Sequence, residues 1–247
     1  MTAADKPNEL PPPPGWRDDK LSEFLDRARD NQLVTFAQKR VEYALLSEID
    51  SVFMRVGDNL INPRNPLSAN LFYRSHSAYR AACGISMSGQ VPETFALLRS
   101  CLEYAAYGLY LYKNPALGAT WLDRHQDADA LRAMRKEFLA INVQKAVEAV
   151  DTRLGQVYRV LYDRAIDFGA HPNVMGVAGS MLMDEQPDKI MINHLYLHGD
   201  DNALLMALKS TAQTGLTSLH IFQHVFPERF LILGVRDTLM KLRTLNL

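Results

Sequence analysis

Cysteine is scarce in this chain, with two residues, Cys83 and Cys101, in 247. That excludes a disulfide-stapled scaffold and a zinc site built on paired cysteines, and it points to buried thiols in a reducing compartment. A surplus of charge of one sign is also missing, with 27 Lys and Arg against 28 Asp and Glu. A near-neutral chain is neither a non-specific nucleic-acid clamp nor a membrane-surface binder, so any anion recognition must come from a local basic cluster. No long hydrophobic run occurs. The longest uncharged stretch near spanning length is residues 210–227, where nine of the eighteen are Ser, Thr, Gln or His, the composition of an amphipathic helix. Residues 1–10 carry charges and no apolar core, unlike a signal peptide. A Gly-x-x-x-x-Gly-Lys phosphate loop, a dinucleotide-binding glycine pattern, a Gly-x-Ser-x-Gly elbow and zinc-finger spacing are all absent, which argues against Walker-type hydrolysis and hydride transfer. The expectation is a soluble cytoplasmic protein that uses no cofactor.

What is present is 47% apolar and 22% charged residues, the make-up of a globular domain long enough to bury its own core. Residues 1–17, with prolines at 11–14 before Gly15, read as a flexible Pro-rich tail. From residue 18 to 247 a 3.6-residue apolar period dominates. It predicts helices over 21–29, 32–55, 68–88 (with Ser68 as cap), 93–112, about 120–125, about 128–139, 144–168, 202–226 and 228–242. Phe36, Val41, Leu45, Ile49, Val52 and Phe53 form the inward stripe of the second. Gly169 and Pro172 stop the helix over 144–168. Two short β-prone segments, 181–183 and 189–197, then predict a hairpin at about 180–197. No repeat or composition shift marks a domain boundary. The fold class is therefore all-α, one helical bundle of about seven to nine helices with a small β-hairpin insertion. Met87, Met175, Met181, Met183 and Met191 read as core or interface filler.

Seven histidines offer two His-x-x-x-His spacings. His194 and His198 fall in a predicted strand, where four residues span about 13 Å and preclude joint chelation. His220 and His224 share a helical polar stripe with Gln213 and Thr217, opposite Leu208, Leu216 and Leu219. A third metal ligand is lacking, since Glu228 lies beyond Pro227, so solvated or interface histidines are expected and no metal is assigned.

The densest chemistry lies in residues 158–172. Asp163 and Asp167 are one turn apart, Arg164 and Asp167 are spaced to pair, and His171 follows just past the helix end. An Arg, a carboxylate and a His converging there suit a phosphodiester, the guanidinium gripping phosphate and the imidazole moving protons. This segment resembles the HEPN superfamily of helical bundles, whose signature is an Arg, four to six residues, and a His near a helix end; Arg164 and His171 fit it. It is also similar to helical proteins related to abortive infection, through Leu161-Tyr162-Asp163-Arg164…His171-Pro172 and the block Leu97-Leu98-Arg99-Ser100-Cys101-Leu102-Glu103. The resemblance implies a homodimer, a role in defence or toxin systems and, in catalytic members, metal-independent RNA cleavage. His171 would then be the acid/base, Arg164 the phosphate holder and Asp167 the orienting carboxylate. Catalytic members usually carry a polar residue after the Arg, whereas here it is Ala165. A non-catalytic protein-interaction module therefore stands as the alternative, and a metal-dependent bundle enzyme using His220 and His224 as a further one.

A second polar stripe pairs Arg99 with Glu103, followed by Tyr107 and Tyr110. The preceding helix offers Tyr73, His76 and Arg80. In an antiparallel hairpin of these helices the two stripes face a shared binding groove, with Arg99–Glu103 a partly buried pair orienting His76 or a ligand; the alternative is a bundle interior in which Arg99 and Glu103 neutralise each other.

Overall fold

The computed structural model describes residues 11–172, 174–186 and 189–243. In chain order its helices are α1 (Lys20–Gln38), α2 (Arg40–Gly57), α3 (Pro66–Met87), α4 (Val91–Lys113), α5 (Leu117–Leu122), α6 (Ala128–Glu137), α7 (Ala140–Val150), α8 (Thr152–Ala165), α9 (Val174–Ala178), α10 (Asn202–Val225), α11 (Pro227–Ile232) and α12 (Val235–Arg243). Between α9 and α10, strands β1 (Met181–Gln186) and β2 (Lys189–His194) pair antiparallel. The all-α bundle with a β-hairpin is thus the observed architecture. No helix among the described residues is long and apolar enough to cross a membrane.

The antiparallel pair α3–α4 and the long α10 laid against it form the centre, with α2 and α8 packed around them. Phe53, Phe72, Tyr79, Leu102, Leu109 and Phe222 are fully buried there, and the Phe72 and Phe222 rings meet edge to face at 5.0 Å. Burial of such side chains contributes about 1.5–3 kcal/mol each and supplies the main driving force. Helix starts follow the side-chain capping expected of Asp and Asn. Asp19, Asp127, Asp151 and Asp201 each accept a hydrogen bond from the first turn that follows. For α3 the cap is Asn65, with Pro66 opening the first turn. Ser68, expected in that role, instead sits inside the helix and donates to the Gly108 carbonyl at 2.8 Å.

Two helix breaks differ from the apolar period, each for a local reason. Residues 30–31 do not interrupt α1, because Asn31 and Gln32 are tied by their side-chain amides to backbone carbonyls of Ser88, His198 and Gly84. The break falls at Lys39, whose backbone leaves the helix (φ −110, ψ 51) while its ammonium pairs with Asp200. That reset rotates the next helix, so Val41 is exposed and Leu46 takes the inward position. The helix predicted over 144–168 is two, because Asp151 is extended and caps α8 through the Leu154 N–H at 2.9 Å. Asp151→Ala is expected to cost about 1 kcal/mol and lower the melting temperature by about 2–4 °C, measured by calorimetry.

Part of the expected Pro-rich tail is described. Residues 1–10 lie outside the described residues, but Trp16 and Arg17 fold back onto Asp26 of α1, the indole donating at 3.2 Å. Of the five methionines read as filler, Met87 packs against the core, whereas Met175, Met183 and Met191 are exposed.

Candidate functional site

Helix α8 ends in a wider π turn, Ile166–Ala170, in which Gly169 has left helical dihedrals (φ 163, ψ −19). A Cβ at Gly169 would lie 2.0 Å from the Pro92 carbonyl oxygen, so only glycine lets this turn seat on the start of α4. Phe168 packs on Phe95 there, ring centroids 5.4 Å apart. His171 is then extended (φ −147, ψ 143), as expected of a residue before proline, and its ring is exposed. Asp163 and Asp167 are exposed too.

Arg164 turns the other way. Its Nη1 donates to Gln213 Oε1 at 2.6 Å and to Ser210 Oγ at 3.2 Å, both on α10. The expected pair with Asp167 is not among the ion pairs of the described residues. Arg164 instead lines a groove of about 770 Å³ between α8, α10 and α11–α12, whose lining includes neither Asp167 nor His171. Gln213, Thr217, His220 and His224 line it from α10, so the polar stripe read from the sequence is one wall. Val157, Val160, Leu231 and Met240 make it partly apolar, and four arginines (153, 164, 236 and 243) face two aspartates, 151 and 237. None of those arginines forms an ion pair within the described residues. Both acceptors of the Arg164 side chain among the described residues are uncharged.

His220 is pushed down to about 4 by burial first, then by the Arg243 and His224 charges, against the pull of Asp151. Burial lowers His224 as well. Both imidazoles are therefore neutral at neutral pH, and His220 Nε2 is buried without a hydrogen-bond partner among the described residues. No third His, Cys, Asp or Glu among those residues joins them in a metal-binding group, and Glu228 is exposed beyond Pro227. His198, the other spaced histidine, turns to Asp201 at 2.9 Å.

The second stripe separates. Arg99 donates to Glu103 at 2.9 Å, and the Tyr162 hydroxyl of α8 donates to the same Oε1 at 3.1 Å. The Arg99 guanidinium lies 5.2 Å over the Tyr162 ring. His76 and Arg80 face α2 instead, where both bond Asp50: His76 at 2.6 Å, and Arg80 through two bonds at 2.7 and 2.8 Å. Tyr73 likewise reaches Gly57. The shared groove expected between the stripes is thus not formed. The two faces of α3 and α4 that carry them bind different neighbours. Burial alone raises the Asp50 carboxyl, and the bonds from Arg80 and His76 outweigh it and hold it low. Asp50, Asp151 and Arg236 escaped the sequence reading. Only Asp50 gave a usable signal, as a carboxylate flanked by Ile49 and Phe53 on an otherwise apolar helix face.

Comparison with protein-family models, curated proteins and solved structures finds no match to this chain.

Proposed function

We propose that the groove between α8, α10 and α12 is an anion-binding site and that its ligand is single-stranded RNA, held in the cytoplasm by a dimer of this chain. The observation that carries the reading is the Arg164 guanidinium, fixed by two neutral acceptors among four groove arginines that form no ion pair within the described residues. A positive charge held without a counter-charge is poised for phosphate, and a planar fork suits it geometrically. The apolar wall suits the faces of bases, which stack on side chains with little sequence preference. The resemblance to HEPN-like and abortive-infection-like proteins points the same way. Binding rather than cleavage is the reading the geometry favours, because His171 lies outside the groove lining and His220, inside it, is uncharged at neutral pH.

Fluorescence anisotropy with a mixed single-stranded RNA tests this. Arg164→Ala is expected to weaken binding by about tenfold or more and to reduce the salt slope by about one. Arg159→Ala, at an exposed position outside the groove lining, should bind as the unaltered protein does. Equal affinity of all three proteins, or no RNA binding at low salt, would falsify the proposal. Incubation with the same RNA in EDTA, beside His171→Ala, checks catalysis: the expected result is intact RNA with both, and cleavage lost only in the variant would reinstate His171 as acid/base.

A further inference from the structure

The histidines that leave the surface divide by what they meet. His76 and His198 each have a carboxylate, Asp50 at 2.6 Å and Asp201 at 2.9 Å. His220 and His224 form no ion pair within the described residues, and the charges around them are mostly cations. The groove they line brings Asp151, Arg153 and Arg164 from the α8 side and Arg236, Asp237 and Arg243 from α12, whereas α2, α3 and α11 contribute no charged group to the lining. Lys113, at the end of α4, acts on His224 as well. Burial first, then the Arg243 and His224 charges, push His220 down to about 4 against the pull of Asp151. His224 is lowered by burial, with Lys113 and Arg236 acting the same way and Asp151 the other. Both imidazoles are thus kept neutral by burial and by fixed cations, and an anion brought among them reverses the second cause.

The geometry provides for such an anion. His220 and His224 are one turn apart on one helix face, in the stripe with Gln213 and Thr217 that forms the α10 wall. Arg164 is bonded to that wall at its Gln213 end, at 2.6 Å, and His220 lies about two turns, or about 10 Å, further along α10. A strand gripped at Arg164 that runs along this wall passes both imidazoles. His220 Nε2 is buried there without a hydrogen-bond partner among the described residues. We infer that the groove takes up protons together with its RNA, the His220 and His224 imidazoles gaining charge as phosphates enter, so that acidification tightens binding. The inference rests on the groove being the RNA site and adds a proton-linked control of that site. Linkage fixes the sign: bound phosphate favours imidazolium, and imidazolium favours bound phosphate by the same factor.

Fluorescence anisotropy with a 5′-hydroxyl oligouridylate at pH 7.5 and pH 5.5, at one ionic strength, tests it, because neither uracil nor a phosphodiester titrates between these values. Affinity is expected to rise about fivefold or more at the lower pH. His220→Gln/His224→Gln should lose that rise, whatever its affinity at pH 7.5. His125→Gln, at an exposed position outside the groove lining, should keep it. Substitutions on α10 also alter the wall, so calorimetric titration of the unaltered protein in two buffers of different ionisation enthalpy supplies a second reading. About one proton should be taken up per RNA bound at pH 5.5. No RNA binding at either pH would overturn the groove reading and the proton linkage together. Equal affinity at the two pH values, binding without proton uptake, or a rise that persists in the double variant would overturn the linkage alone and leave the groove reading standing.

Discussion

Gly215→Ala is expected to destabilise the protein by about 2–3 kcal/mol, a large loss for removing no contact at all. Gly215 sits within α10, and a Cβ there would stand 2.4 Å from Tyr79 Cε2 and 2.9 Å from the Ile49 side chain. Neither neighbour has room to retreat. Tyr79 and Ile49 are fully buried, and the Tyr79 hydroxyl is fixed by its bond to the Leu46 carbonyl at 2.9 Å. The helix must therefore lift away from α2 and α3, and the walls carrying Ser210, Gln213 and His220 move with it. Urea unfolding should show a lower midpoint with an unchanged slope. Tyr79→Leu in the same background should recover part of the loss, because it removes the obstructing ring at the cost of its own packing. A change under 0.5 kcal/mol in the single variant would show that the α10–α3 contact is looser than described.

The second large effect is pH-dependent. His220 is held near 4 in the folded chain, against about 6.5 when unfolded. Below pH 6.5 the unfolded chain takes up a proton that the folded one refuses, so stability is complete above 6.5 and falls as pH drops towards 4. At pH 4.5 this group alone accounts for a loss of about 2–3 kcal/mol. His220→Leu should cut the difference between pH 7.5 and pH 4.5 by that amount, in denaturant titrations at the two values. Asp151, which favours the charged imidazole, and Arg243 and His224, which oppose it, set the remainder. Parallel pH curves for the variant and the unaltered protein would mean that His220 titrates normally and is solvated.

How much of this was legible from the chain follows from where the information lies. The apolar period and the Gly and Pro positions place the helices and the hairpin because those signals are local. The breaks at Lys39 and Asp151 were missed because each rests on a single residue, one paired with distant Asp200, the other an isolated cap in a strong apolar pattern. The α10 half of the groove was visible as the stripe of Gln213, Thr217, His220 and His224, since one helix face carries it. Its junction with Arg164 was not, because Arg164 could be assigned to Asp167 by spacing alone. Helix pairing decides such questions, and so it did for His76 and Arg80, which face Asp50 of α2 rather than the Arg99–Glu103 stripe.

A π turn accommodates one residue more than the α turn it replaces, which corresponds to about 100° of helical phase. Across Ile166–Ala170, counting residues therefore no longer measures nearness in space. Arg164 and Asp167, three apart, point to different surroundings, and a motif defined by the spacing from Arg to His spans a discontinuity. Deletion of a single residue here would restore the phase of α8 and, in doing so, draw Phe168 off Phe95 and bring a side chain to the place where only Gly169 clears Pro92. Insertions and deletions in this stretch act on the molecule as rotations, and the length of the segment carries as much structural meaning as the residues in it.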